Sequence, residues 1–411
     1  MKLLKRISPY LLISLFLFGV WNSSTQKAAI KPFWTDEFNE LNYTCRSSYT
    51  DMILDGSRGQ CSAPPLYYMI SKFFFNLYKI HEDDPIKDIL INTRIVSRVS
   101  LILLLIVLII IYKSYLGMVW KWLPLILFVF FDYLGSEDGH VFWASTETRF
   151  YGFWIFMTGL NLLTLHIIEQ NLRKDEKIPN LQFYNYCIVS FLLMVTSSPG
   201  MIQVFIPLVL VFSLWDVKKF KSIIEPKKVP GLLILLAGLC IVIYYNIRVC
   251  HVEGYYGNTW GTVAEYFTGY RTPVMFMIMI CGWIYTFENV NDIISRMIFS
   301  QFTIMVAMII LIHVLDYHFI PRVLIMCHFL SFYLGVAGCK QISKYLELNL
   351  GIKRNLFNVV IYLIIIAASI FHSESLKGII KHGILLRPMS TKEKIVYQRN
   401  NLIFPLCSVK K

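Results

Sequence analysis

The sequence predicts an all-α, polytopic integral membrane protein of about eleven transmembrane helices, with a large first external loop carrying interfacial helices. Three observations predict it. Apolar runs near the length needed to cross a bilayer recur along most of the chain. Of the 411 residues, 56% are hydrophobic and only 16% charged, too little polar surface for a water-soluble globule. Lys and Arg collect in the short segments between alternate runs, where they set topology against the membrane field.

Lys2, Lys5 and Arg6 precede the first run, Ile7 to Trp21. A signal peptide would begin in the same way, but no small-x-small cleavage site follows closely and many further runs do. The segment is therefore read as a retained helix with its N-terminus in the cytoplasm. Later runs cover Ile95 to Tyr112, Leu123 to Leu134, Phe150 to Ile168, Phe183 to Thr196, Met201 to Trp215, Gly231 to Ile247, Val274 to Phe287, Met297 to Leu315, Val323 to Gly338 and Leu356 to Phe371. Residues 1–371 thus form one transmembrane domain with residues 22–92 as its first external loop, and residues 372–411 form a short tail.

Orientation follows from the basic loops. Lys113 and Lys121 flank one; Arg173, Lys174 and Lys177 lie in another; Lys218, Lys219, Lys221, Lys227 and Lys228 in a third; Lys340, Lys344, Lys353 and Arg354 in a fourth. All four fall in the cytoplasm if Pro64 to Ile80 does not cross the membrane. That segment opens on Pro-Pro, is interrupted by Lys72 and carries Tyr67, Tyr68 and Tyr78, which suits a helix lying along the headgroups. Read as a true span, it would reverse every later loop.

The formal net charge of +13 does not point to nucleic acid, because the cations are spread over these loops. The nine cysteines show no CxxC and no zinc-ligand spacing. Cys45 and Cys61 share the first external loop and can pair if that loop faces an oxidising compartment.

Three segments on the external side carry chemistry. Asp36 and Glu37 follow Phe33-Trp34 at the membrane surface, where desolvation raises a carboxylate's proton affinity and suits it to general-base work; the same pair would also serve as a solvated helix cap. Glu147-Thr148-Arg149-Phe150-Tyr151 places a guanidinium where the chain re-enters the bilayer, as a snorkelling marker, a partner for Glu147 or a fork for a lipid-borne phosphate. Asp316 to Arg322 places another Arg at the head of an apolar helix. Arg94 and Arg98 also lie at an external helix mouth, so four cations there call for an anion.

In their order and shared side, these segments resemble the GT-C class of membrane glycosyltransferases that use polyprenyl-phosphate sugars, and within it the group of protein O-mannosyltransferases and lipid A aminoarabinose transferases. That group carries an Asp-Glu pair in the first external loop, matched by Asp36-Glu37, and a His-Pro-Pro-Leu-Tyr-Tyr element, matched by Ala63-Pro64-Pro65-Leu66-Tyr67-Tyr68. Its Arg-Leu-Pro-Ser element is Arg94-Ile95-Val96-Ser97 here, its Glu-Ala-Arg-x-Tyr element Glu147 to Tyr151, and its late Pro-Arg-Tyr element Pro321-Arg322-Val323. Ala63 replaces the group's His, Val96 its Pro and Val323 its Tyr.

The resemblance implies sugar transfer from a polyprenyl-phosphate carrier, with inversion, to an acceptor on the external face: a protein, a glycolipid or a polymer. It implies Asp36 as base with Glu37 assisting, Arg149 and Arg322 on the departing phosphate, and Arg94, Glu147, Tyr151, Tyr67 and Tyr68 lining the substrate, with packing an equal reading for the last two. No cofactor is predicted; some members of the group bind a divalent metal near the carboxylates, but no ligands are spaced for one here. A bacterial inner membrane is favoured over the endoplasmic reticulum, where the sequons Asn22-Ser23-Ser24 and Asn42-Tyr43-Thr44 would matter. The alternatives are a transporter or flippase of a lipid-linked or anionic solute, and a non-catalytic relative that binds polyprenyl phosphate.

Overall fold

The computed structural model describes residues 2–31, 33, 35–55, 64–80, 84–116, 141–173, 178–212, 225–248, 273–314, 325–326 and 328–350. Among them every regular element is helical. In chain order these are α1 (Lys2–Ile30), α2 (Thr35–Arg46), α3 (Tyr49–Asp55), α4 (Leu66–Tyr78), α5 (Ile86–Thr93), α6 (Ile95–Leu116), the single turn α7 (Val141–Ala144), α8 (Tyr151–Arg173), α9 (Asn180–Met194), α10 (Gly200–Phe212), a 3-10 turn (Pro226–Lys228) leading into α11 (Val229–Arg248), α12 (Pro273–Glu288), α13 (Ile293–Val314) and α14 (His328–Leu350).

Four segments among the described residues are long and apolar enough to cross a membrane: Ile95–Ser114, Tyr151–Asn171, Pro226–Ile247 and Ile293–Leu311. Gly200–Leu210 and Phe276–Glu288 are shorter apolar helices. The expected runs Leu123 to Leu134 and Leu356 to Phe371 lie outside the described residues, as do Arg322 and the tail.

Several helices outrun the apolar stretches that predict them. α1 continues past Trp21 because the hydroxyls of Ser24 and Thr25 both donate to the Trp21 carbonyl at 2.8 Å, so these polar residues satisfy themselves on the helix. α14 continues past Gly338 because Lys340 meets Asp292 at 3.6 Å and Lys344 meets Glu288 at 3.8 Å.

The helix directions follow from a few contacts. α6 and α8 run side by side in the same sense: the Ser97 hydroxyl donates to the Arg149 carbonyl at 3.2 Å near both heads, and further along Gly159 faces Leu104. α9 returns, and its last carbonyl, Val195, accepts the Leu66 N–H of α4 at 3.3 Å. α10 sets out beside α8, where Gln203 accepts from Trp154 Nε1 at 2.7 Å. α11 comes back, and its Tyr244 and Tyr245 hydroxyls donate to the carbonyls of Leu54 and Ile53 in α3. The heads of α6, α8 and α10, the ends of α9 and α11, and α2 to α5 therefore share one face.

The basic positions gather at the other end. Lys113 meets the Tyr10 hydroxyl at 3.4 Å, and the Tyr184 hydroxyl donates to the Lys227 carbonyl at 2.5 Å. α14 runs in the sense of α6, with Phe329 beside Gly159 and Cys339 interacting with Tyr112, so Lys340 and Lys344 fall at this second end too. Leu101, Leu104 and Leu108 of α6, Trp154 and Leu162 of α8, and Phe329 and Tyr333 of α14 belong to the core between the two ends.

α12 and α14 cross closely and antiparallel. A Cβ on Gly282 would collide with the Leu334 carbonyl, and one on Gly338 with the Ile278 carbonyl, so each glycine admits the opposite backbone. Small residues at the contact are how helices associate in lipid, where apolar burial drives little.

α4 has only 13 residues, about 20 Å of helix, short of a hydrocarbon core of roughly 30 Å. It ends on Lys79 in the left-handed region, φ 48°. Phe75 of α4 packs with Leu41 of α2 and Ile89 of α5 in a small core of their own, separate from the main one. Lys72, which interrupts the apolar stretch, donates to the carbonyls of Thr44, Cys45 and Ser47 at 3.3, 3.0 and 2.7 Å, closing the C-terminal end of α2. Burial pulls its ammonium below its ordinary pKa, and Asp51 opposes the shift.

Candidate functional site

The site is built where α1 ends, α2 lies across, and α6 and α8 begin. Glu37 and Glu40 stand one turn apart on α2 and so share a face. Leu41, held against Phe75 and Ile89, fixes the rotation of α2 that turns that face inward.

Arg94 occupies the step between α5 and α6 and is fully buried. Its Nη1 donates to the carbonyls of Ala28 at 2.7 Å and Lys31 at 2.6 Å, capping α1. Its Nη2 lies 3.2 Å from both oxygens of Glu37, and the guanidinium sits 4.8 Å from the centre of the Phe33 ring. Glu37 Oε1 also accepts the Thr148 N–H at 2.7 Å. One carboxylate thereby ties the head of α6 to the turn before α8.

Two further pairs complete the arrangement. Lys31 Nζ reaches Glu147 Oε1 at 2.6 Å, and Arg149 Nε reaches Glu40 Oε1 at 3.2 Å, with the Arg149 guanidinium 4.9 Å from the centre of the Tyr151 ring. All six charged side chains are buried. Three cations face three carboxylates, so the set balances its own charge away from water, where an unmatched ion would be costly.

The Lys31 ammonium is pulled down from 10.5 to about 8, first by burial and then by Arg94, with Glu147 and Glu37 opposing the shift. Burial alone would also lower Arg149, but Tyr151, Glu40, Tyr68 and Glu147 outweigh it and hold the guanidinium above its ordinary value.

Tyr67 and Tyr68 sit edge to face, 5.3 Å between ring centres, and both are buried. The Tyr67 hydroxyl and the Ser97 hydroxyl share a bond of 3.1 Å, and Ser97 passes on to the Arg149 carbonyl. Burial pushes the Tyr67 phenol above its ordinary pKa, so it stays protonated. The Pro-Pro-Leu-Tyr-Tyr segment is in this way stitched to both helix heads.

The structure brings together Glu37, Arg94, Glu147, Arg149, Tyr151, Tyr67 and Tyr68. Asp36 lies in the first turn of α2, next to Glu37, with its side chain outside the described set. Sequence reasoning missed Lys31 and Glu40, the partners of Glu147 and Arg149. Glu40 had a signal: it falls three residues after Glu37 on a helix. Lys31 had none, because its partner is 116 residues away.

Cys45 is disulfide-bonded, with its partner outside the described residues. Among the described residues no group of three or more His, Cys, Asp or Glu side chains is arranged to hold a metal ion.

No protein-family model, curated protein or solved structure matches this chain.

Proposed function

We propose that this protein is a membrane glycosyltransferase that moves a sugar from a polyprenyl-phosphate donor to an acceptor hydroxyl at the face bearing α2, with inversion. One observation carries the reading. Glu37 and Glu40 of α2, the helix that also carries Asp36, bond Thr148 and Arg149, so a carboxylate-bearing helix and a helix-mouth arginine more than 100 residues apart meet at one rim.

Asp36 takes the proton of the acceptor hydroxyl as its oxygen attacks the anomeric carbon. The bond from that carbon to the phosphate oxygen breaks, and its electron pair leaves with the polyprenyl phosphate. Arg149 stands at the head of α8, where positive charge and helix N-terminus both favour the phosphate as charge builds on it. Glu37 holds α2 in place, and Arg322 is a second candidate for the phosphate. The face bearing α2 is the periplasmic side of a bacterial inner membrane in this reading. Lys113, Lys227, Lys340 and Lys344 at the opposite end favour that orientation, and a disulfide on α2 favours an oxidising compartment.

The test is transfer of radiolabelled sugar from a lipid-phosphate donor by the purified protein. Activity in wild type and its loss in Asp36→Asn, with unchanged membrane insertion, is the expected result; a fully active Asp36→Asn removes the assignment of the base.

A second reading, a transporter, is favoured by the buried polar residues along α8. Thr158, Asn161, His166 and Glu169 are all buried in or beside the spanning segment, with Gln203 and Ser190 as partners of the first two. Uptake of a lipid-linked or anionic solute into proteoliposomes without sugar transfer would select it.

A further inference from the structure

Arg98 lies one helical turn inside Arg94 on α6, within the spanning segment Ile95–Ser114, and is 1% exposed. Its surroundings differ from those of the other buried cations among the described residues. Lys31, Arg94, Arg149 and Lys228 each meet a carboxylate. Among the described residues Arg98 meets no carboxylate: it donates to the hydroxyl of Thr25 through Nη2, lies on the face of Trp21, whose ring centre is 4.2 Å from the guanidinium carbon, and interacts with Tyr78. Its Nε has no hydrogen-bond partner.

A charged side chain inside a bilayer is retained where it meets an opposite charge or a functional ligand. The six neighbouring buried charges cancel in pairs, which leaves Arg98 as the buried cation among the described residues that meets no carboxylate. A guanidinium offers its donors as a planar fork suited to phosphate oxygens. Beside it α6 presents Val99, Leu103, Ile106 and Ile110, exposed on one stripe, and α1 presents Leu15 and Phe18. An anion that reaches this depth along such a surface needs an apolar tail.

We infer that Arg98, backed by Trp21 and Thr25, binds the phosphate of a lipid whose chain lies along the exposed side chains of α1 and α6. This deepens the proposed function and rests on it for naming a prenyl carrier as the lipid.

The test uses full-length protein in dodecyl maltoside micelles, with farnesyl phosphate and farnesol as probes and binding read by calorimetry. Wild type should bind farnesyl phosphate at least about tenfold more tightly than farnesol, the value of a charge-assisted bond, and Arg98→Gln should cut that preference by at least about threefold, with Arg149 carrying the remainder, while Arg98→Lys loses less. An Arg98→Gln protein with the wild-type preference overturns the inference. Should that variant not fold, wild type decides: equal affinity for the two probes overturns it. Phosphatidylglycerol that competes as well as farnesyl phosphate supports the subsite and assigns it to bulk phospholipid; failure to compete assigns it to the prenyl carrier. Binding is read without sugar transfer. A wild type that prefers farnesyl phosphate but transfers nothing therefore removes the glycosyltransferase reading and leaves this site standing.

Discussion

Glu37 and Arg94 meet through two contacts of 3.2 Å, both side chains fully buried, although 57 residues of chain separate them. Glu37→Gln leaves the Arg94 charge without its match in a dry site. A loss of roughly 3–5 kcal/mol is expected, seen as a large drop in the thermal midpoint of the purified protein. Glu37→Leu combined with Arg94→Met should recover part of that loss, since paired removal leaves no orphaned charge. A single variant as stable as wild type contradicts the burial of the pair.

Arg149 and Glu40 allow stability to be separated from substrate use. Arg149→Ala should raise the KM for the lipid donor by about tenfold or more and lower the thermal midpoint. Glu40→Gln should lower the midpoint while keeping the donor KM within about threefold, because tenfold corresponds to a whole charge-assisted contact. If both variants shift KM alike, Arg149 serves only to hold α2.

Lys31 gives the protein a defined pH response. The folded state releases this proton near pH 8, the unfolded chain near 10.5, so between those values the unfolded chain holds more protons and stability rises with pH. Below about 8 the contribution is flat. Lys31→Arg stays protonated throughout and lacks that slope. The thermal midpoint of wild type should therefore gain on the Arg variant from pH 8 upward, by on the order of 3 kcal/mol at full extent. Parallel curves would show that Lys31 keeps its proton.

Gly282 and Gly338 set the spacing of α12 and α14. Gly338→Ala places a methyl against the Ile278 carbonyl and Gly282→Ala one against the Leu334 carbonyl, so either should cost roughly 1–3 kcal/mol in thermal denaturation. The double variant should lose less than the sum, because the first substitution already parts the helices.

The all-helical class was legible because long apolar runs must satisfy their backbone groups internally, and four segments among the described residues are long and apolar enough to cross a membrane. The segment opened by Pro64-Pro65 is likewise a helix, α4, of 13 residues. Helix ends were less legible: the runs stop at the first polar residue, whereas α1 and α14 continue through serine, threonine and lysine side chains that find partners. At the site, Glu37, Arg94, Glu147 and Arg149 were visible as charges beside apolar runs. Their pairing was not, because which carboxylate meets which cation depends on how α2 lies across the heads of α6 and α8, and local periodicity carries no record of that. Arg98 was visible as a second cation of one helix mouth, but its lack of a carboxylate became apparent only from its neighbours.

The pairings also bear on how the chain is made. Lys31 waits 116 residues for Glu147 and Glu40 waits 109 for Arg149. Throughout synthesis of that interval the nascent amino-terminal part carries ions whose matches have not left the ribosome. It must keep them hydrated until α8 emerges, so a fragment truncated before residue 147 should be held by insertion chaperones or degraded, while one extending past α8 should mature.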